Sequence, residues 1–389
     1  MDGIDKAHAE EYGAEPAVLV EVPQVTTLLG AFSEYCSGYA ITSTNNHGLR
    51  VAITPRTDNL VRIFNASRGE RKKFQLAVIR QRKEDKWAQI VKAVCQAVIS
   101  AELPLPGFDM TFKGQSAVAD NPSLTAALVS GIICALNTLF GFGLDADGQV
   151  RLAFSTNRFS EIYKLRLRDL ITIFTAVPGK IIFFDLESYD YESIDYPFVK
   201  GSGVGSYFID CDLPEGELSE EVTIFRENCI DAAKRMKDIL PRGEKLRLLT
   251  ERGIRNLHLP LPEDLKRTIS FVVEDSSFAK KSIDSIKSSN STALGKILTA
   301  EQRNLSELAE LTSPEVDWLV KRGIETQGVK GVTEISVGIS GTLVALIEDG
   351  AEEQYRAQLE EYERIFGFHP IMREYVPSGS IKVIIGSSV

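Results

Sequence analysis

From Ser123 to Leu144 the chain runs for 22 residues without a charge. A stretch of that length and polarity has two physical solutions. It crosses a bilayer, or it is a helix enclosed on all sides by a large domain. The flanks favour the second: they carry Asp120, Asp145 and Asp147, with no Lys or Arg to anchor a span. Inside the stretch, Asn137 is a poor lipid-facing residue. Ala126, Ala127, Ser130, Gly131 and Ala135 are small enough for close packing against neighbours. The segment is read as a core helix, and no membrane partner is expected.

Enclosing such a helix takes a substantial domain, and 389 residues suggest two or three. A net charge of −10 argues against a general nucleic-acid binder, which needs a surplus of cations for phosphates. Cys36, Cys95, Cys134, Cys211 and Cys229 contain no CxxC pair and read as reduced thiols of a cytoplasmic protein. His8, His47, His258 and His369 are equally scattered, so no metal site is expected. Met1 to Glu15 is acidic and lacks an apolar run, so neither a secretory signal nor a transit peptide is expected.

The hydrophobic pattern places strands at Val18–Val22, Leu49–Thr54, Leu60–Ala66, Phe74–Ile79 and Lys180–Phe184. Further strands are expected at Ser206–Cys211, Thr333–Val337, Leu343–Ile347 and Lys382–Ile385. Helical spacing covers Trp87–Ile99, Glu220–Ile239, Leu265–Lys287, Leu298–Arg322 and Glu352–Phe366. Strands mixed with long helices, without regular βαβ alternation, indicate an α+β fold. Gly201-Ser-Gly-Val-Gly205 punctuates the middle and suggests domains at 1–200 and 201–389. The first holds 21 Lys+Arg and 23 Asp+Glu, the second 23 and 31.

Several collinear stretches together resemble galactokinase, of the GHMP small-molecule kinase superfamily. Val22-Pro-Gln-Val-Thr-Thr-Leu-Leu-Gly-Ala-Phe-Ser-Glu-Tyr-Cys-Ser-Gly-Tyr39 is similar to that family's Pro-Gly-Arg-Val-Asn-Leu-Ile-Gly-Glu-His-Thr-Asp-Tyr motif. Trp87-Ala-Gln-Ile-Val-Lys-Ala-Val94 is similar to its Trp-x-x-Tyr-x-Lys-Gly-Val helix. Lys180 to Ser188 is similar to the strand ending in Asp-Cys-Arg-Ser, and Arg226-Glu-Asn-Cys229 to its Arg-x-x-Cys helix. Gly331 to Glu348 is similar to its glycine-rich third motif and the following strand. The resemblance covers nearly the whole chain. It implies a two-domain GHMP kinase fold, with an N-terminal domain like the second domain of ribosomal protein S5 and a ferredoxin-like C-terminal domain.

The positions that carry the family's chemistry differ. Val25 stands where the family has Arg, and Ala31-Phe32-Ser33-Glu34 aligns with the sugar-binding Glu-His-Thr-Asp. Each buried hydrogen bond left unmade costs about 1–3 kcal/mol. By the resemblance, Glu34, Tyr35, Gly38 and Arg166 are the substrate-binding candidates. Gly114-Gln-Ser-Ala-Val-Ala-Asp-Asn-Pro-Ser123 takes the place of the phosphate loop, whose glycines let backbone N–H groups approach phosphate. Gly114, Asp120, Ser123, Gly338 and Gly341 are the corresponding nucleotide-binding candidates. Asp120 or Asn121 before Pro122 also reads simply as a helix cap, and Gly338 and Gly341 as turn residues. The family's catalytic carboxylate falls on Asp169, three residues after Arg166, where the two could pair on a helix surface. Arg158, Lys164, Arg166 and Arg168, with the basic stretch Arg68–Lys86, could instead face an anionic metabolite or solvent.

Three readings follow. The chain is a galactokinase-like pseudokinase that binds a small molecule or regulates. Or it is an active ATP-dependent galactokinase or sugar-1-kinase with an atypical site. Or it is a GHMP kinase for a different, anionic metabolite. ATP and Mg2+ belong only to the active readings. The expected partner is a sugar or other small metabolite, with a protein partner left open.

Overall fold

A computed structural model of the chain describes residues 3–114, 121–214, 218–240, 244–250, 253–254, 261–335 and 341–386. In chain order the elements are α1 (Ile4–Tyr12), β1 (Val18–Leu29), β2 (Tyr39–Pro55), β3 (Leu60–Asn65), β4 (Glu70–Gln75), α2 (Ala88–Ser100), β5 (Phe108–Lys113), α3 (Pro122–Phe140), α4 (Ala146–Ser155) and α5 (Leu167–Thr175). Then come β6 (Lys180–Asp185), β7 (Tyr191–Asp195), β8 (Val204–Asp210), α6 (Ser219–Ile239), α7 (Glu263–Lys287), α8 (Ser291–Asn304) and α9 (Pro314–Glu325). The chain continues through β9 (Val329–Glu334), β10 (Thr342–Glu348), α10 (Glu352–Phe366), β11 (Ile371–Glu374) and β12 (Lys382–Gly386). Antiparallel and mixed strand pairs with helices make this α+β.

The chain divides into two compact units. One comprises Met1–Val25, Thr44–Pro178 and Ser378–Val389, and the other Thr26–Ser43 and Gly179–Pro377. This differs from a single cut at residue 200. Both β1 and β2 change unit partway along, because each strand continues through what the sequence pattern reads as an end. β1 does not stop at Pro23 but reaches Leu29.

In the first unit the strands follow the order β12-β1-β2-β5-β3-β4, with only the β3–β5 pair parallel among the pairs whose register is defined. Val20, Val22, Val51, Ile53, Phe108 and Met110 face a layer of helices in one core. The uncharged α3 is the centre of that layer and is buried through most of its length, which is why it needs no polar face. Gly131 sits against β1 and β2. A Cβ there would come within 2.7 Å of Val22 and 2.9 Å of Val51, so glycine sets the depth of the helix. Phe74–Ile79 is only partly strand: β4 ends at Gln75 and a 3-10 turn follows.

On the opposite side of the first unit, α1 places His8 between two threonines. Nδ1 lies 3.0 Å from Thr111 Oγ1 and Nε2 2.7 Å from Thr54 Oγ1. Burial lowers the His8 pKa from 6.5 to about 4, partly opposed by Asp109. The unfolded chain therefore takes up the proton first as pH falls. Stability from this group is present above pH 6.5 and is lost as pH drops through 4. The loss is about 3 kcal/mol between those limits. Denaturant titrations at pH 7 and pH 4 should show the His8→Leu variant gaining on the wild type by that amount.

In the second unit β6 pairs with the Tyr39–Thr42 part of β2 and with β7, and a separate antiparallel sheet has the order β11-β8-β10-β9. Alternate residues of that sheet feed two cores. Tyr207, Ile209, Leu343 and Ala345 pack on α9 and α10. Phe208, Val344 and Leu346 pack on α7 and α8. The single helix expected over Leu298–Arg322 is two. A π-helical turn at Leu305–Ala309 ends the first stretch, and Glu310 takes a left-handed φ of 55°. Ser313 then caps α9 ahead of Pro314.

Candidate functional site

The sequence candidates fall in both units, and each set is described within its own. In the first unit Asp169 lies in the opening turn of α5, where the helix dipole favours a carboxylate. Its Oδ2 accepts from Arg166 Nε at 2.8 Å, and its Oδ1 is 3.5 Å from Arg168 Nε. The pairing of Arg166 with Asp169 is present, but it is not on the surface. The Asp169 side chain is 2% exposed and that of Arg168 1%. A fold that buries a guanidinium here needs the carboxylate beside it. Oδ1 is buried without a hydrogen bond among the described residues.

The start of α3 is organised for capping. Asn121 Oδ1 accepts from the N–H groups of Ser123 and Leu124 at 3.0 and 3.2 Å, and the Thr125 N–H goes to the Asn121 carbonyl. Pro122 has no N–H to offer. The Ser123 hydroxyl donates to the Val25 carbonyl at 2.7 Å. Among the described residues, the first-turn donors that could make this helix start a phosphate cradle are thus used inside the protein. Gly114 exchanges hydrogen bonds with Ser67, and a Cβ on it would meet Leu49 at 2.6 Å, so packing accounts for the glycine. Asp120 lies outside the described residues, as does Gly338.

Several of the cations that could face an anionic ligand are engaged within the protein. Lys164 donates to the carbonyls of Asn157 and Ser160, while Arg166 and Arg168 flank Asp169. In the basic stretch, Arg71 pairs with Glu11, and Lys72 reaches the Glu84 carbonyl. Arg158 is exposed. A cavity of ≈ 670 Å³ opens elsewhere on this unit, between Arg50, Lys113, Gly114 and Lys382, and neither Asp169 nor Ser123 lines it.

In the second unit Glu34 and Tyr35 sit half-buried in a 3-10 turn, Ser33–Cys36. The neighbouring Phe32 points into the core, edge-on to Phe225 and Phe271 at 5.2 and 5.6 Å. Phe32, which the resemblance aligns with the family's sugar-binding run, is here an apolar anchor. Gly38 is buried, and a Cβ on it would collide with the Ser276 hydroxyl and Cys36 Sγ. The next residue, Tyr39, donates its N–H to Ser276 Oγ at 3.0 Å. Its ring stacks on Phe183 and lies 4.1 Å from the Arg247 guanidinium. Arg247 also makes two 2.6 Å bonds to Asp185 and holds that carboxyl below its usual range. Gly341 has φ 60° just before β10, and a Cβ there would meet Leu213 at 2.7 Å.

Sequence reasoning missed the carboxylate that shapes this turn. Asp275 of α7 accepts from the N–H groups of Gly30 and Phe32 at 2.7 and 2.8 Å and from Ser33 Oγ at 3.4 Å. A signal existed: Phe271, Val272, Asp275, Ser276 and Ala279 follow the apolar stripe of α7, so Asp275 falls on the buried face.

No family model matches the chain. Relatives nevertheless extend over its whole length. A protein of Treponema pallidum (strain Nichols), assigned provisionally as a galactokinase, is 26% identical over 99% of this chain and 97% of its own. Galactokinase of Pyrococcus furiosus is 24% identical over 94% of this chain and 99% of its own. The crystal structure of Lactococcus lactis galactokinase complexed with galactose superposes with a TM-score of 0.87, covering 98% of both chains at 20% identity. Over its whole length the chain is similar to galactokinases, and its fold is the one they share with other GHMP kinases. The Methanococcus jannaschii mevalonate kinase structure, with a TM-score of 0.61 at 14% identity over 92% of this chain and 96% of that one, shares the two-domain fold more loosely.

Proposed function

We propose that this chain is a small-molecule-binding, regulatory relative of galactokinase that no longer phosphorylates galactose. The start of α3 carries the reading. Among the described residues there, the first-turn donors go to Asn121 and the Ser123 hydroxyl goes to Val25, so they do not fit a triphosphate. No step through ATP and Mg2+ is derived from them. Phe32 turned into the core and Val25 buried in β1 support the same conclusion, because neither can orient a reacting hydroxyl. A sugar remains the first ligand to test, since the Lactococcus lactis relative was solved with galactose.

One observation favours the second reading, an active sugar kinase. Asp169 is held by Arg166 and keeps Oδ1 as an acceptor, the form a general base or an electrostatic stabiliser requires. Calorimetric titration separates the two. With Mg-ATP no binding heat is expected, while the protein stays folded and ligand-responsive in a thermal-shift screen of sugars. Binding of both Mg-ATP and galactose, with ADP formation abolished in Asp169→Asn, would sink the pseudokinase proposal.

A further inference from the structure

We propose that the α1 side of the first unit's sheet binds a small phosphate monoester, over a row of charges that crosses four strands. The site is separate from Asp169 and from the start of α3, and it does not depend on whether the chain is a kinase. Register builds the row. Lys382 of β12 stands opposite Glu21 of β1, and Arg50 of β2 stands opposite Lys113 of β5. Arg50 joins the two pairs, since its Nε and Nη2 donate to Oε1 of Glu21 at 3.1 and 2.7 Å. Across the sheet the order is therefore Lys382, Glu21, Arg50, Lys113.

Side chains two residues apart on a strand share a face. Leu19 and Ala52 pack with Ile4 of α1, and Thr111 Oγ1 is 3.0 Å from His8 of the same helix. Glu21, Arg50 and Lys113 lie two residues from these three, so they point to the α1 side. A cavity of ≈ 670 Å³ opens over the row, with all four charged residues in its lining and Ile4, where α1 begins, at its wall. That volume is ordinary for a small-molecule site. Gly48 also lines it, and a Cβ there would fall on the Val22 carbonyl, so no side chain fills that side.

Electrostatics select the ligand. Three cations share one carboxylate. Arg50 and Lys113 are direct neighbours across an antiparallel pair, where like charges are destabilising. An anion between them turns that repulsion into attraction. Both bonds from Arg50 to Glu21 end on the same carboxylate oxygen, which leaves Nη1 of the guanidinium as a donor. A guanidinium fork matches phosphate oxygens, and Lys113 and Lys382 add point charges on either side. The row has two cations in excess, and a phosphate monoester carries about two negative charges above its second pKa. A monocarboxylate would leave one cation unbalanced. His47 lines the same cavity and adds to its positive charge when protonated.

Titration calorimetry of the full chain with inorganic phosphate, at pH 8 and low salt, tests the site. Lys113→Gln and Lys382→Ala should each weaken binding about tenfold, as expected for loss of a charge-assisted contact. Both lysines are exposed, so the variants should fold, and thermal unfolding checks that they do. Glu21→Gln should tighten binding about threefold or more, because it removes the one opposing charge; a merely structural carboxylate gives no such gain. Lys296→Ala removes the same charge from the second unit and should change affinity by less than about twofold. Acetate should bind about tenfold more weakly than phosphate. Failure of the wild type to bind phosphate overturns the proposal. So does a loss in Lys296→Ala equal to that in Lys382→Ala, a Glu21→Gln that binds no more tightly than the wild type, or acetate that matches phosphate.

Discussion

Asp169→Asn should lower the stability of the first unit by about 3 kcal/mol, whether or not the protein catalyses anything. Removing one partner from a buried ion pair leaves the other charge unbalanced, at a typical cost of about 3–5 kcal/mol. The lower end applies for two reasons. The Arg166 side chain is 26% exposed and can turn to water, and Arg168 keeps further interactions. Arg168 itself has no route to solvent, and an Asn beside it offers a dipole in place of a charge. The check is a denaturant midpoint with an unchanged slope, and a loss below about 0.5 kcal/mol would refute the structural role. The outcome bears on function. Active-site groups are commonly strained or uncompensated, so their removal is often neutral or stabilising. A large loss would show that the fold of α5 needs Asp169.

The architecture was legible in the sequence because it rests on local patterns. The uncharged run of α3, the alternation in β3 and the Asn121-Pro122 pair are all properties of neighbouring residues. The unit boundaries were not, since β1 and β2 pass from one unit to the other in mid-strand. No composition change marks that passage, and a glycine-rich stretch near residue 200 is a more visible but less informative signal. The candidate site divides in the same way. Asp169 could be placed by counting along a resemblance, and its proximity to Arg166 followed from helical spacing. Its burial could not be read, because that depends on Arg168 and on everything packed around α5. Asp275 was less legible: the apolar stripe of α7 puts it on the buried face, but only the distant N–H groups of Gly30 and Phe32 explain a carboxylate there.

Gly331→Val should cost the second unit about 4 kcal/mol or more, which for this class of change means loss of the folded unit at modest temperature. Gly331 of β9 and Gly295 of α8 face each other without side chains. A Cβ on Gly331 would fall on the Gly295 carbonyl, and a Cβ on Gly295 would fall on the Lys330 carbonyl. Both obstacles are backbone, so no rotamer change relieves them. Either the helix moves off the strand or the strand leaves its ladder with β10, where Gly331 is paired with Leu346. The core on that face, with Leu294 and Leu298 of α8 against Leu346, would open with it. Gly331→Ala carries the same collision and should behave alike, whereas a smaller conformational-entropy effect alone would make alanine neutral or favourable. Lys296→Ala, exposed on the same helix, should stay within about 0.5 kcal/mol. Thermal unfolding of the three variants decides. A Gly331→Ala protein as stable as the wild type would mean that the two backbones can separate freely and that this contact does not set the position of α8.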